Sequence, residues 1–286
     1  MIVIEETGPA ATVQDLGRPG WFDSGVGPAG AADRGALRLA NRLVGNPENA
    51  AGIEVLLGGL VLRAEKPTLA AVTGAPAPAT VDGTPVGHTS VLYLDTGQIL
   101  RLGFAPAGLR SYLGVRGGID IAPVLGSRSY DTLSGIGPPP LRAGTRLPTG
   151  PPPRNWPNID QAPQPAPPDL LEIRALLGPR DDWFTDPGAL FSGYWTVGQD
   201  TDRVGARLDR AAGPPLRRAV TAELRTEGVA LGSVQVPPGG QPVIFLADHP
   251  ITGGYPVIAV VLDADIDLLA QARPGQRIRF RRAGPA

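Results

Sequence analysis

Three stretches of the chain combine residue types that can do polar chemistry. The first is Asp248-His249-Pro250-Ile251-Thr252-Gly253-Gly254-Tyr255, where an apolar run delivers a carboxylate and an imidazole into a glycine loop. Gly253 and Gly254 let backbone N–H groups turn toward an anion, Asp248 or His249 can relay a proton near neutral pH, and Thr252 and Tyr255 can hydrogen-bond a ligand. The same residues also suit an Asp-stabilised turn carrying a surface histidine. The second is Asp200-Thr201-Asp202-Arg203-Val204-Gly205-Ala206-Arg207, whose two arginines, four apart, point the same way if the segment is a strand. Arg203 and Arg207 can then grip a carboxylate or phosphate through paired hydrogen bonds, or else form surface ion pairs with the neighbouring aspartates. Glu227 and Gln235 sit in or beside the strands that follow. The third runs from Thr12 through Asp15 and Arg18 to Gly20, and on to Asp33, Arg34 and Asn41. Its polar side chains occupy irregular backbone, where they can converge on a ligand, although Asp15 with Arg18 can equally brace a loop and Asp33 cap a helix.

Several familiar motifs fail. Gly25-Val26-Gly27-Pro28-Ala29-Gly30 has the spacing of a dinucleotide fingerprint, with Glu54 as a later acid, but the turn-rich Arg18-Pro19-Gly20-Trp21-Phe22-Asp23-Ser24 cannot be the buried strand that must lead into it. A P-loop is missing, so ATP chemistry needs a partner chain. A nucleophile elbow is missing too, and two histidines with no cysteine supply a metal site poorly, so no metal is expected. Lys66 is the only lysine and stands in Glu65-Lys66-Pro67, which is no biotin-attachment sequence.

The elements that position these residues read as β-strands. Thirty-nine Gly and 33 Pro suit a turn-rich all-β protein with few short helices. Short apolar runs recur at residues 53–57, 60–62, 69–72, 91–94, 99–102 and 112–115, and again at 171–176, 229–236, 243–246, 257–262 and 277–280. Helical periodicity is confined mainly to residues 33–44, with Leu37, Ala40 and Val44 on one stripe, and 265–272. Residues 138–168 hold 12 prolines and no apolar periodicity, so they read as a polyproline-like connector between a β-domain at 1–137 and another at 169–286. The length, 286 residues, suits two cores. Twenty-six Lys and Arg against 27 Asp and Glu give no field for nucleic acid. The absence of cysteine, of a signal-like start and of a long apolar run points to a cytoplasmic protein with no membrane span.

Taken in order, the blocks at residues 12–20, 27–34, 37–47, 117–128, 235–242 and 252–256 resemble the family of the 5-oxoprolinase C subunit, also called biotin-dependent carboxyltransferase or allophanate hydrolase subunit 2. The resemblance covers nearly the whole chain. It implies two cyclophilin-like β-barrel domains in tandem and a heteromer with a B-type partner. It further implies participation, with an A-type partner, in ATP-dependent opening of 5-oxoproline to glutamate. Biotin-dependent carboxyl transfer to urea is the alternative activity, and non-catalytic regulation of a sensor kinase is a third. In the first reading Arg203 and Arg207 anchor carboxylate or phosphoryl oxygens, Gly253 and Gly254 cradle an oxyanion, and Asp248 or His249 moves the proton, with Gln235, Thr252, Tyr255, Asp15 and Arg18 as further contacts. Two positions depart from the family pattern: Pro250 stands where glutamine is frequent, and Ala206 where an aromatic is.

Overall fold

A computed structural model describes residues 1–284. The chain divides into two units. Unit 1 comprises Met1–Arg18 and Ala29–Pro167; unit 2 comprises Pro19–Pro28 and the chain from Pro168 onward.

Unit 1 contains β1 (Ile2–Thr7), β2 (Ala10–Gln14), α1 (Arg34–Leu43), β3 (Gly52–Leu56), β4 (Leu60–Ala64), β5 (Thr68–Gly74), β6 (Ala79–Val81), β7 (Thr84–Val86), β8 (Val91–Leu94), β9 (Ile99–Leu102), β10 (Arg110–Val115) and β11 (Arg146–Leu147). They form two sheets, in the orders β11-β1-β4-β9-β6-β7 and β2-β3-β10-β5-β8. Alternation along the strands sends Ile4, Leu62 and Leu100 of the first sheet and Val13, Ile53 and Leu113 of the second into one core. Helix α1 covers the second sheet, with Leu37 against Tyr112 and Leu43 against Leu69. Asp33 caps it, accepting a hydrogen bond from the Ala36 N–H at 2.8 Å.

The proline-rich stretch is no free linker. Its β11 pairs with β1, the Val91 N–H donates to the Asp160 carbonyl at 2.8 Å, and the Ala162 N–H donates to the Thr89 carbonyl at 3.0 Å. Prolines cannot donate, but the residues between them still pair with the edge strand β8 and the turn before it, so residues 138–167 belong to unit 1.

Unit 2 contains β12 (Leu170–Leu177), β13 (Tyr194–Val197), β14 (Gly205–Ala212), β15 (Glu227–Gly228), β16 (Ser233–Gln235), β17 (Val243–Phe245), β18 (Thr252–Gly253), β19 (Val257–Val261), α2 (Asp263–Ala270) and β20 (Arg277–Arg282). Seven of these strands close a barrel in the order β12-β19-β16-β17-β14-β13-β20, with β20 running parallel to β12. Ile173, Trp195, Leu208, Ile258 and Phe280 fill its interior. The pair β15-β18 stands apart from the barrel sheet.

The fold is therefore mostly β, with two short α-helices among the described residues. Among the described residues, no helix is long and apolar enough to cross a membrane.

The excursion of Pro19–Pro28 into unit 2 leaves and returns at one point. The Asp15 carbonyl accepts from the Ala31 N–H at 2.8 Å, and a Cβ on Gly30 would come within 2.9 Å of the Leu16 and Gly17 backbone. Gly30 also has φ +98°, so both its conformation and its clearance demand glycine. This geometry gives the Gly25 to Gly30 sequence its role: it closes a loop, and the residues leading directly into it, Phe22–Ser24, form a single helical turn and not a strand.

Candidate functional site

The polar residues singled out above in unit 2 form two groups along the β17–β19 connection: Arg203, Asp248 and His249 beyond the Phe245 end of β17, and the glycine loop beside Gln235, which pairs with Val243 at the other end of that strand. Asp248 follows β17, and Arg203 lies in the turn before β14. Because β14 pairs with β17, with Gly205 opposite Phe245, the two side chains are neighbours. Arg203 Nε donates to Asp248 Oδ2 at 2.8 Å and Nη2 donates to Oδ1 at 2.9 Å. The Asp248 N–H also donates to the Arg203 carbonyl at 3.0 Å. Both side chains are buried, so this two-point bond holds the loops together at low local dielectric.

His249 comes next and is 2% exposed. Its Nδ1 lies 2.7 Å from the Pro250 carbonyl, and its ring stacks on Phe245 with centroids 5.9 Å apart. A carbonyl can only accept, so Nδ1 donates in this contact. The His249 carbonyl faces Gly27 of the Pro19–Pro28 excursion, 3.4 Å from where a Cβ would stand.

The glycine loop is held by a second set of contacts. Thr252 and Gly253 pair with Gly228 and Glu227. Gln235, buried on β16, donates from Nε2 to the Tyr255 carbonyl at 3.0 Å. A Cβ on Gly253 would overlap that amide, so glycine here is a matter of space. Glu227 is ion-paired with Arg180, which binds both its carboxylate oxygens. Hydrogen bonding to Arg180 holds the Glu227 carboxyl below the usual carboxylate range, while Arg180 is raised by the same bond. Glu227 therefore stays ionised at neutral pH. The Tyr255 side chain and Gly254 are exposed beside this loop.

One expectation needs correction. Arg203 and Arg207 do not share a strand, because β14 begins at Gly205. Arg207 is on the outer face of β14 with its side chain exposed, between the inward-pointing Ala206 and Leu208. The carboxylate-binding edge of Arg203 is filled by Asp248, so within this chain its partner is a protein carboxylate.

Asp15 and Arg18 belong to unit 1 and to a different network. The Asp15 carboxylate accepts from the Gly17 N–H (2.8 Å), the Arg128 N–H (2.6 Å) and the hydroxyls of Ser127 and Ser129 (2.6 Å each). Arg18, also buried, donates to the Ser129 carbonyl. Asp15 thus anchors residues 127–129.

Sequence reasoning missed a second buried cluster in unit 1. The Tyr112 hydroxyl donates to Glu54 Oε2 at 2.7 Å and accepts from the Asp33 N–H at 2.8 Å. Glu54 also takes the Ala32 N–H at 3.0 Å and lies 3.5 Å from Arg110. Burial, then the carboxylates of Glu54 and Asp33, push the Tyr112 phenol well above its ordinary range, against the opposing pull of Arg110. Its sequence signal is weak: Glu54 is one acid in a run of apolar strand residues. Among the described residues, no group of three or more His, Asp or Glu side chains is placed to hold a metal ion.

A two-unit β-fold with a closed barrel and a braced glycine loop defines a class. Residues 24–282 match the model of the carboxyltransferase domain, subdomains A and B, and the chain belongs to that family. It is 40% identical over 288 residues to the C subunit of 5-oxoprolinase from Escherichia coli K12, a match spanning 98% of this chain and 90% of that protein. It is 33% identical to the urea amidolyase of Saccharomyces cerevisiae, covering 97% of this chain but 16% of the yeast protein. The crystal structure of the K. lactis urea amidolyase superposes with a TM-score of 0.90 at 28% identity, over 99% of this chain and 19% of that one. The chain thus spans nearly all of the bacterial relative and less than a fifth of these fungal ones.

Proposed function

We propose that this chain is the C-type component of a heteromeric, ATP-dependent 5-oxoprolinase, working with a B-type and an A-type partner. The similarity to the bacterial 5-oxoprolinase C subunit along nearly the full length of both chains carries this reading. The chemistry asks that a resonance-stabilised lactam carbonyl be polarised while charge on its oxygen is met by fixed donors. In unit 2 the Arg203–Asp248 clasp fixes the loop that presents His249. Gln235 fixes the turn that presents the amides of Gly253 and Gly254. We assign the proton-moving role to His249, the oxyanion contacts to the Gly253-Gly254 backbone with Thr252 and Tyr255 beside it, and the positioning roles to Asp248, Arg203 and Gln235. Arg207, exposed on β14, is available to a substrate or partner carboxylate.

ATP supplies activation of the carbonyl oxygen in this reading, but the unit 2 cluster does not fit a triphosphate. Glu227 stays ionised beside the glycine loop, its partner Arg180 is closed on that carboxylate, and the Arg203 fork is closed on Asp248. The nucleotide step is therefore assigned to the partner chains.

Biotin-dependent carboxyl transfer to urea is the second reading, favoured by the superposition on urea amidolyase. It requires a biotin carrier supplied by another domain. Co-expression with B-type and A-type partners, followed by parallel assays of ATP-dependent glutamate release from 5-oxoproline and of urea carboxylation, separates the two. Glutamate release that requires this chain is the expected result. Urea carboxylation alone would favour the second reading, and activity on neither would leave regulation of a sensor kinase as the better account.

A further inference from the structure

Unit 1 carries a hollow of about 650 Å³ that the reading above does not use. It opens between the β4–β5 turn, the end of β8 and the proline-rich strap. Three of its lining residues are unusual. Lys66 is the only lysine of the chain. Tyr93 and Trp156 are 69% and 68% exposed, the highest values among the exposed large hydrophobic side chains. Tyr93 is thrown outward by strand alternation, between the inward-facing Leu92 and Leu94.

Trp156 is exposed yet fixed. Arg116 donates to the carbonyls of Val44 (2.8 Å), Pro153 (2.6 Å) and Asn155 (2.8 Å), which pins the strap. Its guanidinium lies 4.5 Å from the centre of the Trp156 ring, covering one face and leaving the indole open to solvent. Immobilising an aromatic before binding lowers the ordering cost of stacking against it. The hydrogen bonds of Arg116 go to carbonyls, not to a carboxylate, so its positive charge adds to that of Lys66 in the wall of the hollow. Asp95 is the one acidic side chain lining it. A cavity of this size, with aromatic surfaces and a few cations, has the makeup of a small-molecule site.

We infer that this hollow binds a flat aromatic ring carrying an anionic group: Trp156 and Tyr93 offer ring faces, and Lys66 takes the charge. Nucleotides and aryl carboxylates share that chemistry. The inference concerns unit 1 alone and does not rest on the proposed 5-oxoprolinase activity.

The test uses the full chain labelled with 15N and follows the indole N–H signal of Trp156, assigned with Trp156→Phe, during titration with AMP, 4-hydroxyphenylacetate, adenosine and inorganic phosphate. AMP or the aryl acid should shift that signal with a Kd in or below the range of about 1 mM. Lys66→Gln should weaken the binding of whichever acid responds by roughly tenfold, the scale of one charge-assisted hydrogen bond, and leave adenosine unchanged. Tyr93→Ala, a change on an exposed face, should weaken the acid by a similar factor through lost stacking. A response to AMP but not to the aryl acid identifies a nucleotide site; the reverse identifies an aryl-acid site. The proposal is overturned if neither acid shifts Trp156 at about 5 mM, a few times that limiting Kd. It is equally overturned if phosphate alone accounts for the response, if Lys66→Gln leaves acid binding intact, or if a proline-rich peptide occupies the hollow in place of either acid. None of these outcomes bears on glutamate release by the complex.

Discussion

The Arg203–Asp248 pair is a buried ion pair with two good hydrogen bonds, and such pairs are costly to break from one side. Arg203→Ala or Asp248→Ala deprives the surviving charge of this partner, and each should lower the unfolding free energy by about 3–5 kcal/mol. Replacing both with leucine should restore a good part of it, so urea denaturation of the two single variants and the double variant measures the coupling. If the single changes are no worse than the double, the clasp does not hold the loop. His88 gives a pH signature. Its Nε2 lies 3.2 Å from the Gly74 carbonyl, and burial lowers its pKa below the ordinary 6.5, against the raising effect of that contact. A depressed value in the folded state favours the neutral ring. The stability linked to His88 is therefore complete above pH 6.5 and is lost as pH falls through the folded-state value. His88→Gln should flatten the dependence of unfolding free energy between neutral pH and about pH 5, the window in which histidine titrates.

At the scale of elements, the turn entered by β18 is shaped by Gln235. Gly253→Ala would drive a methyl into the Gln235 amide and displace the Tyr255 carbonyl that it holds. Thr252 and Gly253 keep their pairing to β15, so the loss should appear in turnover more than in stability. A displacement of this kind costs on the order of ten to a hundredfold in kcat of the reconstituted complex. An unchanged kcat with intact folding would remove this turn from the site. Elements also show where sequence patterns failed. The strands at 53–57, 91–94, 99–102 and 257–262 are found almost as expected, since apolar alternation and bounding turns mark them. The β6–β7 hairpin escaped, although Asp82-Gly83, both at positive φ, is a strong turn signal. Pro85 masked it, because proline argues against a central strand but is tolerated at the sheet edge where β7 lies.

For the whole molecule, each unit has its own core, but unit 2 borrows Pro19–Pro28 from a distant part of the chain. A fragment beginning at Pro168 keeps the barrel strands and lacks that segment. Its thermal midpoint should rise when a peptide of residues 19–28 is added in excess. Each 1 kcal/mol of binding is worth roughly 4–8 °C in a domain near 100 residues. No rise would mean that the excursion contributes nothing to the barrel.

What the amino-acid sequence determined by itself was the class of fold, the positions of most strands and the polar stretch from Asp248 to Tyr255, because these depend on local alternation, turn residues and order along the chain. Which groups face each other was decided only in three dimensions. Arg203 and Asp248 are 45 residues apart and meet because β14 and β17 are barrel neighbours. Asp15 finds Ser127 and Ser129 more than 110 residues away. The strap bearing Trp156 lies along β8 through backbone hydrogen bonds that its composition does not announce. Hydrogen-bond partners and burial depend on which strands pair across long loops, and no local pattern encodes that.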